Sequence, residues 1–129
     1  MGHIGMNATL LEGAEGRNPL VFGQTAHESD KLTICIYGHY DVVPADEEEW
    51  DTSPFCLTGK DGYLYGRGVT DDKGPIIAIL TAIDELIHKE KNLPVNIKIL
   101  LEGEEETDSS GLKEAVASNS HLFKDVNLV

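Results

Sequence analysis

Two short runs rich in β-branched and aromatic residues, PLVFGQ (19 to 24) and LTICIY (32 to 37), flank the polar stretch AHESDK. Each is too short for a helix and reads as a strand, with a loop between them. The second is apolar at nearly every position, which predicts burial on both faces. Further on, CLTGKDGYLYG sets Asp61-Gly62 between two β-prone runs, a hairpin signal. From Pro75 to Lys89 apolar residues recur at Ile76, Ile79, Leu80, Ile83, Leu86 and Ile87, the three-and-four spacing of a helix with one buried face. Gly74 and then Pro75 suit its start, with the proline at the first helical position. PVNIKILLEG alternates through Val95, Ile97, Ile99 and Leu101 and predicts a strand, and GLKEAVA (111 to 117) predicts a last helix.

This order makes the chain α/β. Strand 32 to 37 crosses over through helix 75 to 89 to strand 95 to 101, a connection that is nearly always right-handed and makes its two strands parallel. In such sheets sites form beyond the carboxyl ends of the strands, and both strands run into polar clusters there. No internal repeat, low-complexity segment or linker interrupts residues 1 to 129, so they read as one domain or part of one.

With 40% hydrophobic residues the composition is that of a globular protein. The net charge of -13 argues against a nucleic-acid partner, since nothing could neutralise a phosphate backbone, and favours a cation. Cys35 and Cys56 both lie in apolar runs (TICIY, PFCLT) and read as small buried hydrophobes. Without a disulfide framework the expected compartment is reducing, hence cytoplasmic. No apolar run has the length of a membrane span.

Three polar clusters carry candidate chemistry. In GHYDVVP, His39 and Asp41 are two apart and share a side of an extended chain, an imidazole with a carboxylate to orient it. In GRGVTDDKGP, Asp71 and Asp72 precede the helix; one aspartate there is an ordinary cap, and a second exceeds what a cap needs. In LLEGEEETDSSG, Glu104, Glu105 and Glu106 come after an apolar strand; taken alone they read as a solvated acidic turn. A right-handed crossover brings all three clusters to one edge of the sheet. Carboxylates crowded there repel one another unless a cation lies between them. Oxygen and imidazole donors suit zinc or manganese better than calcium.

In this order and at these separations, GHYDVVPA, WDTSPFCLTGKDGYLYGRGVTDDKGP and LLEGEEETDSSGL resemble metallopeptidase family twenty, the group of aminoacylase, carnosine dipeptidase and glutamate carboxypeptidase, and its dipeptidase branch most of all. The resemblance covers about residues 18 to 129. It implies part of a zinc-peptidase-like catalytic domain with a mixed, partly parallel sheet flanked by helices. It further implies two divalent metal ions, Zn2+ first and Mn2+ or Co2+ as substitutes. His39 and Glu106 would each bind one metal, Asp71 would bridge both, Glu105 would be the general base, and Asp41 would orient His39. A cis peptide is implied between Asp71 and Asp72. Glu104 is left as a solvated neighbour and His121 as a surface residue.

The implied reaction is hydrolysis of an amide bond in a dipeptide or N-acyl amino acid, by a protein that forms a homodimer or joins a hydrolase complex. The alternative is a non-catalytic or scaffold subunit of such a complex, of the glutathione-degrading type. Further ligands of the family, an aspartate and a histidine, would fall beyond Val129, and its dimerisation and lid domain is not among these residues. As 129 residues alone, the chain is therefore expected to bind metal weakly and to be inactive. Asp108 stands where the family usually has glycine, which makes the turn after the glutamates a point of departure from the family pattern.

Overall fold

The computed structural model describes residues 1–90 and 93–129. In chain order its elements are β1 (Asn7–Leu11), β2 (Leu20–Gln24), β3 (Thr33–His39), β4 (Thr58–Lys60), β5 (Tyr63–Tyr65), α1 (Lys73–Glu90), β6 (Asn96–Glu102), α2 (Leu112–Ser118) and β7 (Val126–Leu128). Five strands form one sheet in the order β1-β2-β6-β3-β7. β6 lies at its centre and is buried at every position. β3 and β6 pair in parallel, with Ile36 opposite Ile99 and His39 opposite Glu102, as the crossover requires. β2 runs antiparallel to β6, so the sheet is mixed.

Alternation along β6 divides the core. Ile97, Ile99 and Leu101 join Met6, Leu93 and Ile83 of α1 on one face, while Leu100 joins Leu11, Leu20, Phe22, Cys35 and Ala115 of α2 on the other. Phe22 and Phe123 meet edge to face there, their ring centres 5.5 Å apart. The buried stripe of α1 is narrower than its sequence suggests. Ile76, Leu80, Ile83 and Ile87 pack on the sheet, whereas Ile79 and Leu86 are 37% and 46% exposed. α1 also begins earlier than expected, at Lys73, which makes Pro75 its third residue. The proline is tolerated because the first-turn N–H groups have no partner within the helix.

β4 and β5 form the expected hairpin, with Lys60 opposite Tyr63 across Asp61-Gly62. Both turn residues have positive φ, 53° and 81°, the conformation of a tight type I′ connection. β1 and β7 have no counterpart in the hydrophobic pattern. β1 is an edge strand with only Leu11 buried, so it carries no alternation, and β7 is three residues long. Cys35 is buried as expected; Cys56 is exposed. The run around Cys56 faces outward, with Phe55 and Leu57 also exposed, because only Pro54 of that segment turns in. Among the described residues no helix is long and apolar enough to cross a membrane.

Candidate metal centre

Because β3 and β6 are in register, they end together, and the segments leaving the two strands emerge at one edge of the sheet. His39 closes β3 and is 6% exposed. The backbone stays paired just past it, with the Tyr40 N–H donating to the Glu102 carbonyl at 2.8 Å. α1 starts over the same edge, and its two preceding aspartates have separate partners. Asp72 turns back to the strand, its Oδ2 accepting the His39 N–H at 3.3 Å. That carboxylate passes so close to Gly38 that a Cβ there would lie 2.6 Å from Oδ2, so a side chain at this position would displace Asp72. Asp71 points outward and is 71% exposed, with Oδ1 2.9 Å from Nε2 of His39. The peptide between the two aspartates is cis, the geometry the resemblance implies.

The turn after β6 completes the cluster. Glu105 Oε2 lies 3.8 Å from His39 Nε2. Donor atoms of His39, Asp71 and Glu106 all fall within 4.8 Å of one another. Asp41 connects the two strand ends: its Oδ1 is 3.3 Å from His39 Nδ1, and its Oδ2 accepts the Glu106 N–H at 3.0 Å. The structure thus brings together all five residues singled out from the sequence.

One glutamate differs from expectation, and a second was not singled out from the sequence. Glu104 is not a solvated neighbour but is 9% exposed, its Oε1 accepting the Asn18 N–H and the Asn18 side-chain amide at 2.9 Å each. Glu102 is almost fully buried, accepting from the Tyr37 hydroxyl and, at 3.2 Å, from Ser109 Oγ. Its place in the alternation of β6, two after Leu100 on the α2 face, was the available signal, since a carboxylate on a core face demands partners. The turn itself accommodates Asp108. The positive φ of the turn falls on Ser109, at 52°, and Asp108 Oδ1 accepts the Ser110 N–H at 3.0 Å. His121 is exposed, as expected.

Charge dominates the electrostatics. Burial opposes protonation of His39, but its contact with Asp71 and the charges of Glu105, Asp71 and Asp41 outweigh it and raise the imidazole above its ordinary 6.5. Tyr37 is raised strongly, by burial first and then by its hydrogen bond to Glu102. Tyr40 is raised by burial and by Asp41 and Glu104.

These residues fit a divalent cation on two observations. One imidazole and two carboxylates converge within a span that a single ion bound at about 2 Å from each donor could draw together. His39 Nδ1 and Asp41 Oδ1, both buried, make no well-aligned hydrogen bond to any other group among the described residues, so that this oxygen of Asp41 is left to the imidazole. This is the carboxylate-histidine pairing that sets a ligand's tautomer and turns its other nitrogen outward.

Residues 35–128 match the family described as peptidase family M20/M25/M40. The mouse Beta-Ala-His dipeptidase is 42% identical over 113 residues, 86% of this chain and 23% of that protein. The Cys-Gly metallodipeptidase dug1 of Schizosaccharomyces pombe is 42% identical over 109 residues, 81% of this chain and 22% of that protein. The crystal structure of human carnosine dipeptidase 1 superposes with a TM-score of 0.89 at 36% identity, covering 98% of this chain and 29% of that one. The chain thus spans less than a quarter of the length of these curated relatives. With its motifs, mixed sheet and clustered donors, the chain belongs to peptidase family M20/M25/M40.

Proposed function

We propose that these residues form part of the catalytic domain of a two-metal dipeptidase, cutting the amide bond of a dipeptide or N-acyl amino acid. The observation that carries this reading is the convergence of His39, Asp71 and Glu106 with Glu105 at its side. His39, Asp71 and Glu106 would hold the ions, zinc being favoured by the mixed imidazole and carboxylate donors. Bound there, the metal supplies Lewis acidity to the amide carbonyl and acidifies a water. Glu105 is the one carboxylate of the turn that is exposed toward the cluster without being tied down by the backbone contacts that hold its neighbours. It takes a proton from the water as the new C–O bond forms, and delivers it to the amine nitrogen as the C–N bond breaks. Asp41 keeps the Nδ1 proton of His39 in place and so keeps Nε2 facing the cluster. Two unpaired thiols suit a cytoplasmic setting.

The test is made on the complete protein. Glu105→Gln should keep its metal and lose roughly 100-fold or more in dipeptide turnover, the scale of a lost general base. Glu106→Gln should lose metal as well. Undiminished turnover in Glu105→Gln would exclude the role given to Glu105. Metal content unchanged by Glu106→Gln would exclude the ligand set.

A further inference from the structure

Glu104 is the acidic residue that this reaction leaves unused, and it is the most deeply held of the three. Its side chain is 11% exposed, against 42% for Glu105. A carboxylate taken from water is kept ionised only where donors replace the lost hydration. Here Oε1 receives the Asn18 backbone and side-chain N–H groups, and Oε2 receives Arg17 Nη1 at 3.2 Å and Thr107 Oγ1 at 3.4 Å. The main chain is held as firmly. The Glu104 carbonyl accepts the N–H groups of Thr107, Asp108 and Ser109, and the Asn18 amide also donates to the Gly103 carbonyl at 2.9 Å.

Two further contacts seat the same loop. The Tyr40 hydroxyl donates to the Pro19 carbonyl at 2.6 Å. At the loop's other end Gly13 and Gly111 approach so closely that neither could carry a side chain.

We propose that Glu104 is a positioning residue for the metal centre: its buried carboxylate locks the loop of residues 13–19 onto the turn of residues 104–109, and this lock sets where Glu105 and Glu106 point. The proposal rests on the reading of Glu106 as a ligand. Its physical basis is repulsion. Glu105 and Glu106 must converge with Asp71 and Asp41 at one edge, and without a rigid backbone those carboxylates would swing apart into water. Asp41 holds the turn at Glu106; Glu104 holds it one residue before Glu105. Together they fix both sides of the residue that must not itself be tied.

Hydrogen exchange on the metal-free complete protein tests the lock, and a Zn2+ titration on the same samples tests its consequence. Glu104→Met, which removes the acceptors, should speed exchange of the Glu106 and Ser109 amides roughly tenfold or more while the β6 amides keep their protection, and should weaken zinc binding roughly 10 to 100-fold. Glu104→Gln, which keeps an oxygen for Asn18, should fall between Met and wild type. Should Glu104→Met not fold, Asn18→Ala removes the side-chain donor to Glu104 and to the Gly103 carbonyl while leaving the carboxylate and the residue 18 N–H, and should change exchange in the same direction by a smaller factor. Unchanged exchange at Glu106 and Ser109 in a folded variant overturns the proposal, as does a loss of protection spread evenly over β6. Faster exchange with no zinc uptake even by wild type would uphold the lock and sink the ligand reading instead.

Discussion

Asp41, just past the end of β3, accepts the backbone N–H of Glu106 at 3.0 Å, so that one carboxylate ties the segment after one strand to the segment after its parallel neighbour. The other oxygen of the same side chain faces His39. A single residue therefore sets the spacing between two donors that lie far apart in the chain.

Asp41→Ala should weaken zinc binding roughly 10 to 100-fold, the usual cost of losing the group that orients a ligand. Its effect on folding should be smaller, about 1 to 2 kcal/mol for one buried hydrogen bond. Calorimetric zinc titration beside urea denaturation separates the two. Equal zinc affinity in the variant would remove Asp41 from the centre.

At the opposite end of the sheet, Lys98 is 6% exposed and donates to Asp125 and to the Leu122 carbonyl. The hydrogen bond from Lys98 holds the Asp125 carboxyl below its ordinary 3.8. The folded value thus lies below the unfolded one, so the stabilisation is complete above the unfolded value and is lost as pH falls through the folded one. Asp125→Asn should cost about 2 kcal/mol at neutral pH, less than a fully buried pair because a third of the Asp125 side chain is exposed. Denaturation at pH 7 and at the acid end should show that difference shrinking. A constant difference would contradict the pairing.

The two thiols should differ in reactivity. Cys56 is exposed, whereas Cys35 is buried, and burial raises its thiol above 9.0 against a smaller opposing effect of Lys98. A disulfide reagent should modify one thiol at once and the second only under denaturing conditions. Cys56→Ser should abolish the fast phase; its survival would place the exposed cysteine elsewhere.

Gly111 and Gly62 both have positive φ, 95° and 81°, but only Gly111 is crowded, since a Cβ on it would lie 2.6 Å from the Ala14 nitrogen. Alanine at Gly62 should cost about 1 kcal/mol for the backbone conformation alone. At Gly111 the same change should cost more, since the loop of residues 13–19 must move as well. Equal losses by thermal denaturation would show that the close approach is not maintained in solution.

Periodicity alone determined the parallel β3/β6 pair, α1 between them and the Asp61-Gly62 hairpin, because each depends on neighbours within a few residues. It also determined which edge gathers the polar clusters, since a crossover leaves little choice of hand. The family resemblance carried by the motifs then singled out His39 and, among the acidic side chains, Asp41, Asp71, Glu105 and Glu106. Burial was decided only by the tertiary structure. Ile79 and Leu86 share the helical repeat of Ile83 yet face out, because the sheet covers a narrower stripe than the repeat offers. β1 and β7 owe their extended form to pairing at the sheet edges and carry little pattern of their own. Glu104 is the clearest case: among three identical neighbours in the chain, the one taken out of water is the one that Arg17 and Asn18 reach, and those residues lie in a loop whose position no local pattern encodes.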